Sequence, residues 1–451
     1  MGLGTFGGGE GVVRFLSERG ARVTVTDQKS EPDLAETLAR LEGCPIEALH
    51  LGGHVEDDFR EAELVVVNPS VPRSNRFLEI SRAAGVELTS EMNLFIELNR
   101  GRIAAVTGSI GKSTTTALLE RMLAAAGMKT WLGGNIGRSL LPEVDSISAD
   151  DWVVLELSSF QLADLDRIRF RPDVAVVTNF RANHLDWHQG LEDYRWAKQT
   201  ILRDQTSGDT AVLNADDPDV STWNTDANVV WFGRGEKPGF FEEAGLLRTP
   251  HFSINLRDEF SLPGQHHALN AAAATAASVS IGADEAAVRS ALRLFTSLPH
   301  RLQFLGEHHG RRFYDDSKAT TPEAAIAALE SFEEPVVLLA GGYDKHVDLG
   351  PFARMIASRA KAVALMGDTA RILEAGVAAE RSPDGSRLNV VPYRICATFD
   401  EAIGWALQQS QPGDVVLLSP GCASYDWFNN YVERGESFAT AIRIWAERMS
   451  P

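Results

Sequence analysis

The stretch Val106-Thr107-Gly108-Ser109-Ile110-Gly111-Lys112-Ser113-Thr114-Thr115 combines glycine, lysine and hydroxyl groups at the spacing of a phosphate cradle. Backbone N–H groups of a glycine turn that opens a helix face an anion. Lys112 would reach terminal phosphates, and Ser113 or Thr114 would offer a hydroxyl to Mg²⁺. Val106 stands where the full pattern has its first glycine, so the spacing is the shorter one. A plain strand-to-helix turn would require glycine, lysine and hydroxyl to coincide without a role. Further along, Glu156 closes an apolar run. A carboxylate there suits Mg²⁺ beside a phosphate site, and suits a turn cap equally well. Asn183-His184-Leu185-Asp186-Trp187-His188 gathers two histidines and an aspartate. Metal, phosphate or no ligand at all fits that spacing. Lys198, on a helical pattern, reads in isolation as a solvated lysine.

Positioning these groups requires strands that end where the polar residues begin. Arg102–Val106 is short and apolar enough for a buried strand, and Leu118, Leu119, Met122 and Leu123 recur behind the turn at helical spacing. Trp152–Leu157, Val174–Asn179 and Ala211–Asn214 read as further strands. The run 236–260 reads as short strands and loops, and the alanine-rich run 270–277 as a closely packed helix. Toward the C-terminus, Tyr314–Thr320 precedes a helix starting near Pro322. Val336–Ala340 leads to Gly341-Gly342-Tyr343-Asp344-Lys345, and Val415–Ser419 leads to Pro420-Gly421-Cys422-Ala423-Ser424-Tyr425. Three strand ends carrying glycine, hydroxyl or lysine loops are how a parallel sheet assembles a site along one edge.

At the start, Gly2-Leu3-Gly4-Thr5-Phe6-Gly7 followed by Arg22–Thr26 and Asp27 matches the dinucleotide fingerprint. That motif needs a preceding strand, and only Met1 stands there. Either the natural start lies upstream, which is the favoured expectation, or this sheet lacks its first strand; the region still reads as a Rossmann-like nucleotide site, suited to a nucleotide-sugar rather than NAD. Glu63–Val67 runs into Asn68-Pro69-Ser70-Val71-Pro72, a loop placed where such folds bind ligands.

A chain of 451 residues is too long for one core. Restarts near Asn99–Gly101 and Pro299–Arg301 suggest three domains, 1–99, 100–299 and 300–451. All are α/β: a Rossmann-like N-terminal domain, a P-loop-type central domain and a Rossmann-like C-terminal domain. The net charge of −19 disfavours nucleic acid and anionic membranes, while a local Lys/Arg cluster can still hold phosphates. Three cysteines, Cys44, Cys396 and Cys422, form no metal clip and argue against a disulfide framework. No secretory signal or spanning segment is visible, so a cytoplasmic location is expected.

In their order, Gly108–Thr115, Gly133–Gly137, Leu155–Gln161, His184–His188, Tyr194–Lys198, His300–Arg301, Asp315–Thr320, Gly341–Lys345 and Ser419–Tyr431 resemble the Mur ligases over essentially the whole chain. Asp316–Thr320 together with Ser419–Ser424 is similar to the D-glutamate-adding branch. The resemblance implies domains for a UDP-precursor, ATP and an amino acid. It implies an ATP-dependent ligase of peptidoglycan precursor synthesis that takes UDP-N-acetylmuramoyl-L-alanine and D-glutamate through an acyl phosphate. It implies a monomer with no nucleic-acid or membrane partner. Gly108, Ser109, Ile110, Gly111, Lys112, Ser113, Thr114, Asn270, Arg301 and Asp316 would bind ATP. Ser113, Glu156, His184 and Lys198 would hold two Mg²⁺ ions, with Lys198 carbamylated. Lys112, His184 and Lys198 are thereby the catalytic candidates. Asp27, Gln28, Lys29, Asn68 and Asn135 would contact the UDP-precursor. Lys318, Thr320, Lys345, Ser424, Tyr425 and Tyr431 would surround D-glutamate. Ser109-Ile110 replaces the usual Thr-Asn. His267, Asp315 and Thr321 each replace an asparagine, and Tyr431 a phenylalanine.

Three alternatives compete. A dinucleotide-dependent dehydrogenase would use Gly2–Gly7 and Asp27 but leaves Lys112, Glu156 and Lys318 unexplained. A non-catalytic nucleotide-binding module would keep the ligase scaffold. A ligase of the folylpolyglutamate synthase type would carry different C-terminal motifs.

Overall fold

The computed structural model describes residues 1–5, 7–182, 187–235, 239–379 and 391–449. The chain divides into two compact units. One comprises Met1–Glu259 and Leu269–Leu294; the other comprises Phe260–Ala268 and Phe295–Pro451.

The first unit is built on a nine-stranded sheet. Within it Arg102–Thr107 is flanked in parallel by Trp152–Glu156 and Val174–Val177. These strands are buried along nearly their whole length, as expected for parallel strands covered on both faces. Thr130–Gly134 forms one edge, while Phe240–Glu243, Leu246–Arg248 and Ser253–Asn255 add an antiparallel extension at the other. The helix Lys112–Ala125 starts at Gly111, whose φ of 85° places it in the left-handed region. Leu118, Leu119, Met122 and Leu123 are fully buried, as the spacing requires. Ala271–Ala274, Ala276 and Ala277 are also fully buried, so the alanine-rich run is a closely packed helical face.

Ahead of this sheet, Thr24–Asp27 pairs with Ala48–Leu51 and Leu64–Val66 with Glu87–Thr89, each in parallel. Met1 and Gly2 bridge the two pairs. Gly2 N–H donates to Thr26 O at 2.8 Å. The Met1 amine donates to Val66 O at 2.9 Å, and Asn68 N–H to Met1 O at 3.0 Å. Two residues thus supply hydrogen bonds that a strand in this position would make. This N-terminal layer shares a core with the large sheet: Val12, Phe15, Met92 and Phe95 join Leu155, Leu162 and Val177 in one apolar cluster.

The second unit holds a six-stranded sheet, ordered Gln303–His308, Arg311–Asp315, Val415–Leu418, Val336–Gly341, Ala360–Met366 and Tyr393–Ile395. All pairs are parallel except the first. Leu338 and Ala340 enter one core cluster and Val337 and Leu339 the other, so alternate residues serve opposite faces. Asp315 pairs with Leu418 and Leu418 with Leu339. The three polar strand ends therefore lie side by side. Among the described residues no helix is long and apolar enough to cross a membrane.

Phe95 is 1% exposed and joins the N-terminal layer to the large sheet. Phe95→Ala is expected to lower stability by about 3–5 kcal/mol in urea denaturation. A loss under about 1 kcal/mol would mean that the two layers do not share this core.

Candidate active site

The glycine turn lies at the C-terminal end of the strand Arg102–Thr107, where sheet order reverses and ligands bind in such folds. Its backbone is fixed from several sides. Ile110 N–H donates to Asn179 Oδ1 at 2.9 Å, and Asn179 Nδ2 returns a bond to Ile110 O at 2.8 Å. Thr178 Oγ1 donates to the same carbonyl at 2.7 Å. The Ser109 hydroxyl lies 3.1 Å from the Tyr194 hydroxyl and 2.9 Å from Arg181 O. Ser109 and Ile110, which differ from the usual pair, are therefore structural anchors of the turn. Gly108 and Gly111 have φ of 148° and 85°. A Cβ on Gly108 would sit 1.9 Å from Thr178 Oγ1, and one on Gly111 2.2 Å from Asn270 Oδ1. Asn270 thus lies against the turn.

The Lys112 ammonium curls back over the loop, donating to Gly108 O at 2.9 Å and Ser109 O at 3.1 Å. Glu156 is 1% exposed. Its carboxylate accepts from the Ser113 hydroxyl and from Asn135 Nδ2 at 2.7 Å. Thr114 is buried in the first turn of the same helix. A hydroxyl and a carboxylate converging beside a phosphate cradle are hard oxygen donors of the kind Mg²⁺ takes.

Lys198 is not a solvated helix lysine. It is 1% exposed, and its Nζ donates to Gly108 O at 2.7 Å above the Tyr194 ring. Burial, with the nearby Lys112 charge, holds its amine well below the ordinary lysine range, against the pull of Glu156. His188 is buried between Asp193 and Ser159, with 2.9 Å to the Ser159 hydroxyl. His184, the other histidine singled out by sequence, lies outside the described residues, as does Asp186.

In the N-terminal layer, Asp27 caps its loop by accepting from Gly4 N–H at 3.0 Å and Lys29 N–H at 2.8 Å. Gln28 and Lys29 are exposed beside it. Asn68 ties the loop to Gly2 O at 3.1 Å.

The second unit assembles its own cluster. Asp316 accepts from Leu302 N–H at 3.1 Å and the Ser419 hydroxyl at 2.7 Å. Burial pushes its carboxyl up to about 7. Asp315 holds His300 Nδ1 at 2.6 Å. His300 and Leu302 have φ of 60° and 44°, so Arg301 is presented from a strained segment held by both aspartates. The Lys318 ammonium lies 3.7 Å over the Tyr431 ring. Thr320 follows on the same loop, with its N–H donating to Lys318 O at 2.8 Å. Ser424 is buried, Tyr425 is 64% exposed near Tyr343, and Lys345 is exposed.

Two positioning groups gave no local signal. Asn179 looked like the end of a strand. Arg434, 1% exposed, lies on a C-terminal helix and belongs to none of the motifs singled out in the sequence. Its guanidinium donates to Ser317 O and Oγ, Cys422 O and Ala423 O, and so ties two of the strand-end loops together.

Family models for the Mur ligase MurD-like N-terminal domain, the Mur ligase middle domain and the Mur ligase glutamate ligase domain match residues 1–90, 106–278 and 300–422. The chain belongs to the Mur ligase family. It is 42% identical to the UDP-N-acetylmuramoylalanine--D-glutamate ligase of Roseiflexus sp., covering 98% of this chain and 97% of that one. It is 39% identical to the protein of the same name from Symbiobacterium thermophilum, over 96% and 94% of the two chains. Among solved structures, the UDP-N-acetylmuramate-alanine ligase MurC of Thermotoga maritima superposes with a TM-score of 0.67 at 22% identity, covering 98% of each chain. The pseudomurein peptide ligase of Methanothermus fervidus gives 0.59 at 17% identity, over 96% and 97%. These likenesses establish the three-domain Mur ligase fold.

Folding raises the Asp316 carboxyl from the ordinary carboxylate range to about 7. Between those values the folded chain keeps a proton that the unfolded chain has lost, so this group's contribution to stability is full in acid and is lost as pH rises through 7. The urea midpoint of the wild type should therefore fall between about pH 4 and pH 7 relative to that of Asp316→Asn. Parallel profiles would show that the carboxyl ionises freely.

Proposed function

We propose that this chain is an ATP-dependent ligase that joins D-glutamate to UDP-N-acetylmuramoyl-L-alanine. The observation that carries the reading is the convergence of Lys112, Ser113, Glu156 and Lys198 at one glycine turn, in a chain 42% identical over nearly its full length to a ligase of that name.

The chemistry follows from the need to make an inert acid reactive. The substrate carboxylate oxygen attacks the γ-phosphorus of ATP, and the bond to the ADP oxygen breaks. The resulting acyl phosphate carries a good leaving group. The D-glutamate amine attacks its carbonyl carbon, inorganic phosphate departs with the bonding pair, and the amine loses its proton. Lys112 counters charge on the transferring phosphoryl group, while the turn fixed by Asn179, Thr178 and Tyr194 orients it. Ser113 and Glu156 would hold a magnesium ion, which when bound supplies charge neutralisation for the phosphates.

A protonated lysine is no ligand for a second ion. The neutral amine favoured at Lys198 by burial is, however, the form that adds CO₂ and loses a proton. The carbamate so formed is an oxygen donor. His184 would complete that second position. Asp27, Gln28, Lys29, Asn68 and Asn135 serve the UDP-precursor. Asn270, Arg301 and Asp316 complete the nucleotide site, and Lys318, Thr320, Lys345, Ser424, Tyr425 and Tyr431 receive D-glutamate, with a lysine pairing with its carboxylate.

Purified protein supplied with the UDP-precursor, Mg²⁺ and ATP should release ADP and phosphate only when D-glutamate is present. Release with L-glutamate or meso-diaminopimelate instead would overturn the substrate assignment. Lys112→Ala should lower turnover by at least about 100-fold while circular dichroism stays that of the wild type. Turnover unchanged by this substitution would remove the glycine turn from the chemistry.

A further inference from the structure

We propose a second small-molecule site, distinct from the glycine turn, that binds a phosphorylated compound bearing a flat ring, of the nucleoside monophosphate class. A cavity of about 520 Å³ opens in the first unit, between its N-terminal layer and its large sheet. Arg73, Arg82, Val86 and Leu88 form one wall, and Ala163, Asp166, Arg167 and Trp196 the other. That volume lies within the range of small-ligand pockets.

Its charge runs against that of the chain. The protein carries 62 acidic and 43 basic residues. Around this cavity stand Arg73, Arg82 and Arg167, with Arg203 stacked 4.7 Å from the Trp196 ring. The facing acids are Asp164, which touches Arg73 and Arg167 at 3.9 Å and 3.1 Å, and Asp166, paired with Arg203. Four guanidinium groups therefore meet two carboxylates. Arg82 and Arg167 also donate to the backbone, to Arg73 O and Leu88 O, which fixes their direction without neutralising them. The Arg73 side chain is 40% exposed, so part of it is open to the cavity it lines.

Guanidinium forks match phosphate oxygens, and Trp196, 38% exposed, offers a ring face for stacking. The Arg73 guanidinium also lies 5.6 Å over the Trp187 ring, which packs on Phe160 and His188. Occupancy here thus touches a layer that leads to the buried histidine.

The full chain labelled with 5-fluorotryptophan tests this by ¹⁹F NMR, with the Trp196 resonance assigned through Trp196→Phe. Titration with GMP should move that resonance, and should still do so in Lys112→Ala, where the glycine turn is impaired. Arg82→Glu combined with Arg167→Glu should weaken the response at least about tenfold and leave the ligase rate without GMP unchanged. Arg82→Gln, a milder change at an exposed side chain, should weaken it in the same direction if the double variant fails to fold. A Trp196 resonance that ignores GMP, or a response indifferent to these charges, would overturn the site. Inorganic phosphate acting as strongly as GMP would overturn the ring half of the assignment. A chain that binds GMP here but fails to use D-glutamate would overturn the ligase reading and leave this site standing.

Discussion

A carboxylate buried at the end of the strand Trp152–Glu156 constrains the catalytic half of the molecule. Glu156 is shut away from water, and an unpaired charge there would be expensive. It is satisfied by the Ser113 hydroxyl and the Asn135 amide, which come from opposite sides of the strand end. Those bonds fix the start of the helix that carries Lys112 and hold the loop that carries Asn135. Two lysine side chains, Lys112 and Lys198, then converge on one carbonyl, Gly108 O. Their mutual repulsion is tolerable because Glu156 lies near and because burial favours the neutral form of Lys198. The sheet does not merely display these groups; its closed interior lowers the proton affinity of Lys198.

The second unit solves a different problem with similar means. Three parallel strand ends must be held at a fixed spacing although each continues into a loop. Arg434 does this by donating to carbonyls on two of them, and desolvation moves its guanidinium down to about 10. The strained backbone at His300 and Leu302 is retained because Asp315 holds the His300 imidazole and Asp316 accepts from the Leu302 N–H. Strain over-determined in this way is characteristic of positions where one side chain has to be presented.

Much of this was legible in the sequence because period and punctuation coincide. Apolar runs ending in glycine, hydroxyl or acid mark strand ends, and the register places Asp315, Leu418 and Leu339 in adjacent rows as those runs imply. The glycine turn declared itself through residue types that only a positive φ or a phosphate would demand together. What stayed hidden depends on burial, which spacing does not encode. Lys198 looks like any helix lysine until its neighbours are known. Asn179 and Arg434 act through backbone groups far away in the chain, and no local pattern marks a long-range partner. Met1 and Gly2 are too short to read as a strand, yet they make the hydrogen bonds of one.

The two substitutions in the phosphate turn show how a motif can vary without losing its geometry. What the turn must preserve is the direction of its N–H groups, and that is a backbone property. Asn179 grips both the N–H and the carbonyl of residue 110, so the side chain at 110 is free to change. Ser109 keeps the hydroxyl that reaches Tyr194, which is the part of that position the fold uses. Tyr194 in turn forms the floor under Lys198. A change at residue 109 that removed the hydroxyl would therefore be felt at Lys198, through the tyrosine between them, before it was felt by a phosphate.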